Sequence, residues 1–212
     1  MRTSTPILVA ALAVTLTACA KGDMAADSTA TAVAAAGDST AMRADSAMTG
    51  MTHDSASSRN DGWGDAQILG YTGAVNNGEI AEGRLASTKA RHPEVKAFGK
   101  MMTQQHQAML DEGKAFAKAH NVMADTAKDE ITDAMKDGRE SLKEFTEKAA
   151  GADWDKAYLD HQIEEHEKVL GKLQDAAKGT VNTDLRAMLV KATGKVQEHL
   201  TKARALKEKY PG

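Results

Sequence analysis

The sequence predicts an all-α protein, a four-helix bundle of two long antiparallel hairpins with a short connecting helix. Three observations predict it. Aromatic residues are only 4% of the 212-residue chain, while Ala, Lys, Glu and Asp abound, and such a composition favours helix over strand. From Trp63 onward apolar residues recur at helical spacing in five segments, and no run alternates as a half-buried strand does. Turn residues stand between the segments: "HPE" at His92, Gly151, and "GTVNTD" from Gly179. The net charge is −3 and the pI about 6.2, with no basic patch to suggest nucleic acid. No internal stretch approaches the ~20 apolar residues of a membrane span.

The first segment reads as an export signal. Arg2 supplies a positive start, "PILVAALAVTL" an apolar run too short to span, and "LTAC" ends at Cys19. Small residues here suit general signal peptidase, but Leu-Thr-Ala-Cys looks more like a bacterial lipobox. On that reading residues 1–18 are removed, Cys19 is lipidated, and the protein is held on a membrane. Ala20 after the cysteine resembles sorting to the outer membrane, facing the periplasm. Cys19 is the single cysteine, so the fold needs a real core rather than disulfides. Residues 19–60 are expected to be a disordered linker, rich in Ala, Ser, Thr, Asp and Met, with a loose DST/DSA repeat at Asp27, Asp38, Asp45 and Asp54. As a flexible coil it would reach on the order of 35 Å.

Residues 61–210 are expected to form the bundle. The first helix, from about Asp65 to Arg91, carries the stripe Ile68, Thr72, Val75, Glu79, Glu82, Ala86. Gly70, Gly73, Gly78 and Gly83 weaken it, so it must lean on tertiary packing. Pro93 suits a helix start, and the second helix runs to about Asn121 with Val95, Phe98, Met102, His106, Met109 and Phe116 on one face. "TAKD" at Thr126 resembles a capping box opening a shorter third helix, with Ile131, Met135, Leu142 and Phe145 inside. The fourth runs from Trp154 to about Lys178, with Tyr158, Leu159, Gln162, His166, Val169, Leu170 and Leu173 on its stripe. The fifth runs from Asp184 to about Lys209, with Leu185, Leu189, Ala192, Val196, His199, Ala203 and Leu206 inward.

Glu79, His106, His166 and His199 thus lie mid-stripe on four different helices. Glu79 is 13 residues before the turn at His92 and His106 is 14 after it; His166 is 15 before the turn at Val181 and His199 is 18 after it. In antiparallel hairpins equal distance from the turn means equal height, so the four meet within about one turn. Buried imidazoles and a carboxylate need partners, and together they suit one divalent first-row metal such as Fe, Zn, Cu or Mn. Glu82, Gln105, Tyr158, Gln162 and Glu165 are placed to support the ligands from behind. The bland reading of each one alone is a core histidine or a solvated carboxylate. His161 is expected to bond Glu165, His120 to sit at a helix end, and His92 in a turn. "MTGMTH", Met48 to His53, has soft ligands of the copper-holding type but reads as linker, and Met101, Met102 and Met109 as core filler.

Four stretches carry a resemblance: "NNGEIAEGRLA" (76–86), "EVKAFGKMMTQQHQAML" (94–110), "DWDKAYLDHQIEEHEKVL" (153–170) and "VQEHLTKARAL" (196–206). In that order they resemble the bacterial domain-of-unknown-function family 4142, over about residues 63–208. The resemblance implies a ferritin-like helical bundle, often in outer-membrane proteins, with acid and histidines at Glu79, His106, His166 and His199. The family usually has an acid where Gln105 stands. The paired Glu-x-x-His motifs of di-iron enzymes are absent: Thr103 and Val196 stand three before His106 and His199. Three functions compete. The first is a metal-binding envelope lipoprotein for storage, sensing or stress protection. The second is a structural lipoprotein that packs against an envelope partner. An enzyme ranks last, since no serine elbow or phosphate loop is present.

Overall fold

A computed structural model describes residues 63–212. The signal, Cys19, the linker and the Met48–His53 motif lie outside the described residues. The described chain is all-helical: α1 (Asp65–Lys89), α2 (Pro93–Ala119), α3 (Asp129–Glu147), α4 (Ala152–Gly179) and α5 (Thr183–Lys209). The amphipathic stripes pair α1 with α2 and α4 with α5 as antiparallel hairpins. Glu94 near the start of α2 bonds Lys209 and Tyr210 at the end of α5, so these two helices also run antiparallel. Asp65 at the start of α1 bonds Thr180 just past α4, so α1 and α4 do too.

That arrangement leaves α2 ending far from where α4 begins. The connecting helix covers the distance. Along α3, Gly138 meets Gly78 and Ser141 bonds Glu82, while the carbonyl of Phe145 accepts from Lys89, so α3 runs parallel to α1 as a full-length crossover. One crossover of this kind is the connectivity of ferritin-like bundles. The third-helix expectations need correction. No capping box forms at Thr126: α3 starts at Asp129, its N-cap Lys128 makes no side-chain cap, and Asp125 Oδ1 instead accepts from the N–H of Ala127. Met135 is 39% exposed rather than inside. The approach of Gly138 to Gly78 turns the Ile131, Ala134, Gly138, Ser141 and Phe145 side toward α1, and Met135 falls outside it.

Two apolar clusters fill the bundle, one at each end. Trp63, Ile68, Tyr71, Phe116, Ile131, Leu173 and Leu185 belong to the first; Phe98, Met102, Phe145, Trp154, Tyr158 and Leu159 to the second. The buried histidines lie between them. Asp155, fully buried, fastens the α1–α2 turn by accepting the N–H groups of Arg91 and His92 at 2.7 and 2.8 Å and facing His92 Nδ1 at 2.8 Å. Asn182 caps α5 by accepting from Asp184 and Leu185.

The glycines divide by surroundings. At Gly70 a Cβ would collide with the backbone carbonyl of Asp125, and at Gly83 it would lie 2.8 Å from Gly99 O. At Gly171 and Gly194 a Cβ would meet nothing within 4 Å. Gly171→Ala and Gly194→Ala should therefore each stabilise the domain by about 0.5–1 kcal/mol through helix propensity alone. Urea titration of the single variants checks this, and a loss of stability at either site would refute it.

Candidate metal centre

The four long helices all bring buried polar side chains to the middle layer. His106, His166 and His199 are 2%, 2% and 0% exposed, and Glu79 is 6%. The ring centroids of the three histidines are 5.0–5.6 Å apart. One ring nitrogen from each lies within 4.8 Å of the other two. Glu79 stands beside this cluster rather than inside it, with Oε1 3.7 Å from His166 Nδ1.

Each ring turns one nitrogen outward to an oxygen. His106 Nδ1 lies 2.9 Å from Asn76 Oδ1, His166 Nδ1 2.8 Å from the backbone carbonyl of Gln162, and His199 Nε2 2.7 Å from Gln105 Oε1. The backbone carbonyl only accepts, so His166 Nδ1 carries its proton; with the Asn76 and Gln105 amides turned oxygen-inward, His106 Nδ1 and His199 Nε2 carry theirs. The remaining nitrogens, His106 Nε2, His166 Nε2 and His199 Nδ1, then carry bare lone pairs. With Gln105 in that orientation, His166 Nε2 and His199 Nδ1 face each other at 3.2 Å with no proton between them. His106 Nε2 is buried without a hydrogen-bond partner, and so is Glu79 Oε2. Imidazoles whose far nitrogens are tied to carbonyl oxygens are the arrangement that orients metal ligands.

Burial sets the charge state. It pushes His106 well below its ordinary value, with the neighbouring His166 and His199 adding to the shift. It takes His166 to about 4 and His199 to about 3. Burial, followed by repulsion from Glu82, raises Glu79 to about 8. At neutral pH the layer is three neutral imidazoles and a protonated carboxyl. A divalent cation would restore charge to Glu79 and satisfy the lone pairs together.

The supporting residues distribute differently from the sequence expectation. Gln105 serves His199 across the bundle, not its neighbour His106. Gln162 supports His166 through its backbone, while its side chain donates to Glu82 Oε2 at 3.0 Å. Glu82 also accepts from Ser141 at 2.6 Å and faces His161 Nε2 at 3.2 Å. His161 therefore pairs with Glu82 rather than Glu165, and although burial opposes protonation, Glu82 prevails and raises His161 to about 9. Glu165 is half-exposed and pairs with Lys168. Tyr158 packs on Trp154 and Phe98, its hydroxyl buried without a hydrogen-bond partner. Sequence reasoning missed Asn76, whose signal was a polar residue one turn before Glu79 in "NNGE".

The fold and this layer define a class: a helical-bundle protein with a buried tri-histidine cluster that could hold a metal ion. The chain belongs to the family described as Domain of unknown function (DUF4142), whose model matches residues 46–206. The match begins inside the stretch read above as linker. No curated protein and no solved structure matches the chain.

Proposed function

We propose that this is an exported, lipid-anchored envelope protein that binds one divalent transition metal in its bundle core, for storage, sensing or envelope stress protection. His106, His166 and His199 are the ligands, and Glu79 supplies a fourth ligand or the compensating charge. The observation that carries the reading is the unpartnered His106 Nε2, buried and converging with the other two rings. Imidazole donors with one carboxylate suit Fe, Zn, Cu or Mn. Export and anchoring rest on the signal and Cys19 alone.

The competing reading is a structural lipoprotein without metal. Turning the Gln105 amide would let it donate to His199 Nε2, and His199 Nδ1 could then donate to His166 Nε2. That chain satisfies two rings with ordinary hydrogen bonds but leaves His106 Nε2 orphaned.

The test is metal content of residues 61–212, purified without chelator or affinity tag. About one metal per chain is expected, absent from a folded His106→Ala/His166→Ala variant. Metal at a hundredfold excess over Kd should add about 2.7 kcal/mol, raising Tm by roughly 5–10 °C. No uptake and no Tm shift with Fe, Zn, Cu or Mn would leave the structural reading.

A further inference from the structure

Two clefts of opposite character lead from the surface toward the buried layer, one as far as His106 and the other as far as Glu79. One is mainly apolar: Val75, Met109, Val169, Ala192 and Val196 line it as far as His106 and Asn76, with Glu112 its one carboxylate. A cation crossing it would shed its water against hydrocarbon, which is costly. The other cleft lies between α1, α3 and α4. Glu79, Glu82, Asp137 and Glu165 line it together with His161 and Ser141. Its free volume is about 30 Å³, enough for one water-sized guest. Gly78 and Gly138 face each other along one wall, and a Cβ on Gly138 would lie 3.5 Å from Gly78 Cα.

Acidic residues alone would mean little here, but Glu79 is 6% exposed and its Oε2 has no hydrogen-bond partner. It lines this cleft and stands at the edge of the histidine layer, 3.7 Å from His166 Nδ1, the nitrogen tied to the Gln162 carbonyl. The bases of the cleft are accounted for. His161 offsets Glu82. Lys168, half-exposed on α4, spans the other two acids, 3.6 Å from Asp137 and 3.7 Å from Glu165.

We infer that this acidic cleft is the port through which a hydrated divalent cation reaches the histidine cluster. Asp137 and Glu165 gather the ion, Lys168 competes with it for them, and Glu79 passes it inward. Oxygen ligands replace its water stepwise along this path. The inference rests on the metal-binding reading, and the test separates the two.

The measurement is the stopped-flow rate of Zn²⁺ uptake by metal-free residues 61–212 at low salt, with the final stoichiometry read on the same samples. Asp137→Asn/Glu165→Gln should slow uptake roughly tenfold with stoichiometry unchanged, and Lys168→Gln should speed it several-fold. Asp111→Asn/Glu208→Gln on α2 and α5, exposed and lining neither cleft, removes the same charge elsewhere and should leave the rate nearly unchanged. Gly138→Leu, which would fill the cleft, should slow uptake, whereas Ala192→Phe in the apolar cleft should not; circular dichroism checks that both fold. Full uptake at the parent rate in the Asp137/Glu165 variant, or equal slowing by the Asp111/Glu208 variant, would overturn the port while leaving the metal centre standing. No uptake by the parent protein would remove both.

Discussion

In urea titrations with chelator present, the stability of residues 61–212 should peak near pH 6.5 and fall on both sides. The cause is protons that the folded and unfolded chains hold differently. On the acid side, burial keeps His106, His166 and His199 neutral in the folded state, while unfolded histidines take up protons below about 6.5. Their folded values are depressed, so their contribution is present above 6.5 and lost as pH falls. Glu79, raised to about 8, offsets one of the three by holding a proton when folded that the unfolded chain lacks above its ordinary value of 4.5. The unfolded state thus binds about two more protons at pH 5.5, a loss of roughly 2.7 kcal/mol per pH unit on descending.

The alkaline side has the opposite sign. Glu79 and His161, the latter raised to about 9, keep protons when folded that the unfolded chain has released. Stability should then decline by a similar slope between pH 7 and 8. Glu79→Gln should halve this alkaline slope and leave a steeper acid one. A flat profile from pH 5 to 8 would mean that the layer is not the buried, uncharged cluster described.

The second large effect is expected at Gly99→Ala. Here α1 and α2 approach so closely that a Cβ on Gly99 would lie 2.7 Å from Gly83 O, 2.8 Å from Ala86 Cβ and 2.9 Å from Ser87 N. Two of these are backbone atoms in a rigid helix, which cannot swing aside as a lysine tip would. The helix-propensity gain of about 1 kcal/mol from Gly to Ala is outweighed by overpacking, so a net loss of about 2–3 kcal/mol is expected. The effect should reach the centre as well. Asn76 is seven residues before Gly83 and His106 seven after Gly99, so both stand about two turns, or 11 Å, from the contact. Parting the helices would stretch the 2.9 Å Asn76–His106 bond. Urea unfolding measures the loss, and the His106 ring ¹⁵N signals should report a weakened Nδ1–H bond. Stability within about 0.5 kcal/mol of the parent would show that the helices can part freely.

The histidines were legible in the sequence because α2, α4 and α5 each bury one main face. On such helices the apolar stripe fixes the phase, and distance from the turn fixes the height. α1 was harder to read. It is packed by α2 and α3 and meets α4 through side chains, so Leu69, Tyr71, Asn76 and Ile80 are buried outside any single stripe. Its glycines looked like weaknesses because the partners that need them, Asp125, Gly99 and Gly138, are far away in sequence. The supporting hydrogen bonds between side chains were missed for the same reason. Gln105 to His199 and the Gln162 side chain to Glu82 span 94 and 80 residues; neighbourhood in the chain found Gln162 for His166 through its carbonyl but not these side-chain partners. The direction of α3 along α1 was not legible at all, because helical periodicity carries no information about which way a crossover runs.

The hairpin plan has one further consequence. α1 and α2 together carry Glu79 and His106; α4 and α5 carry His166 and His199. Neither half owns the cluster. Made as two separate polypeptides, each hairpin would carry half of the cluster, and on the metal-binding reading their reassembly would bring the two sets of ligands together. A bound ion would act as a clasp between fragments, and the affinity of one half for the other would become a direct report of metal in solution.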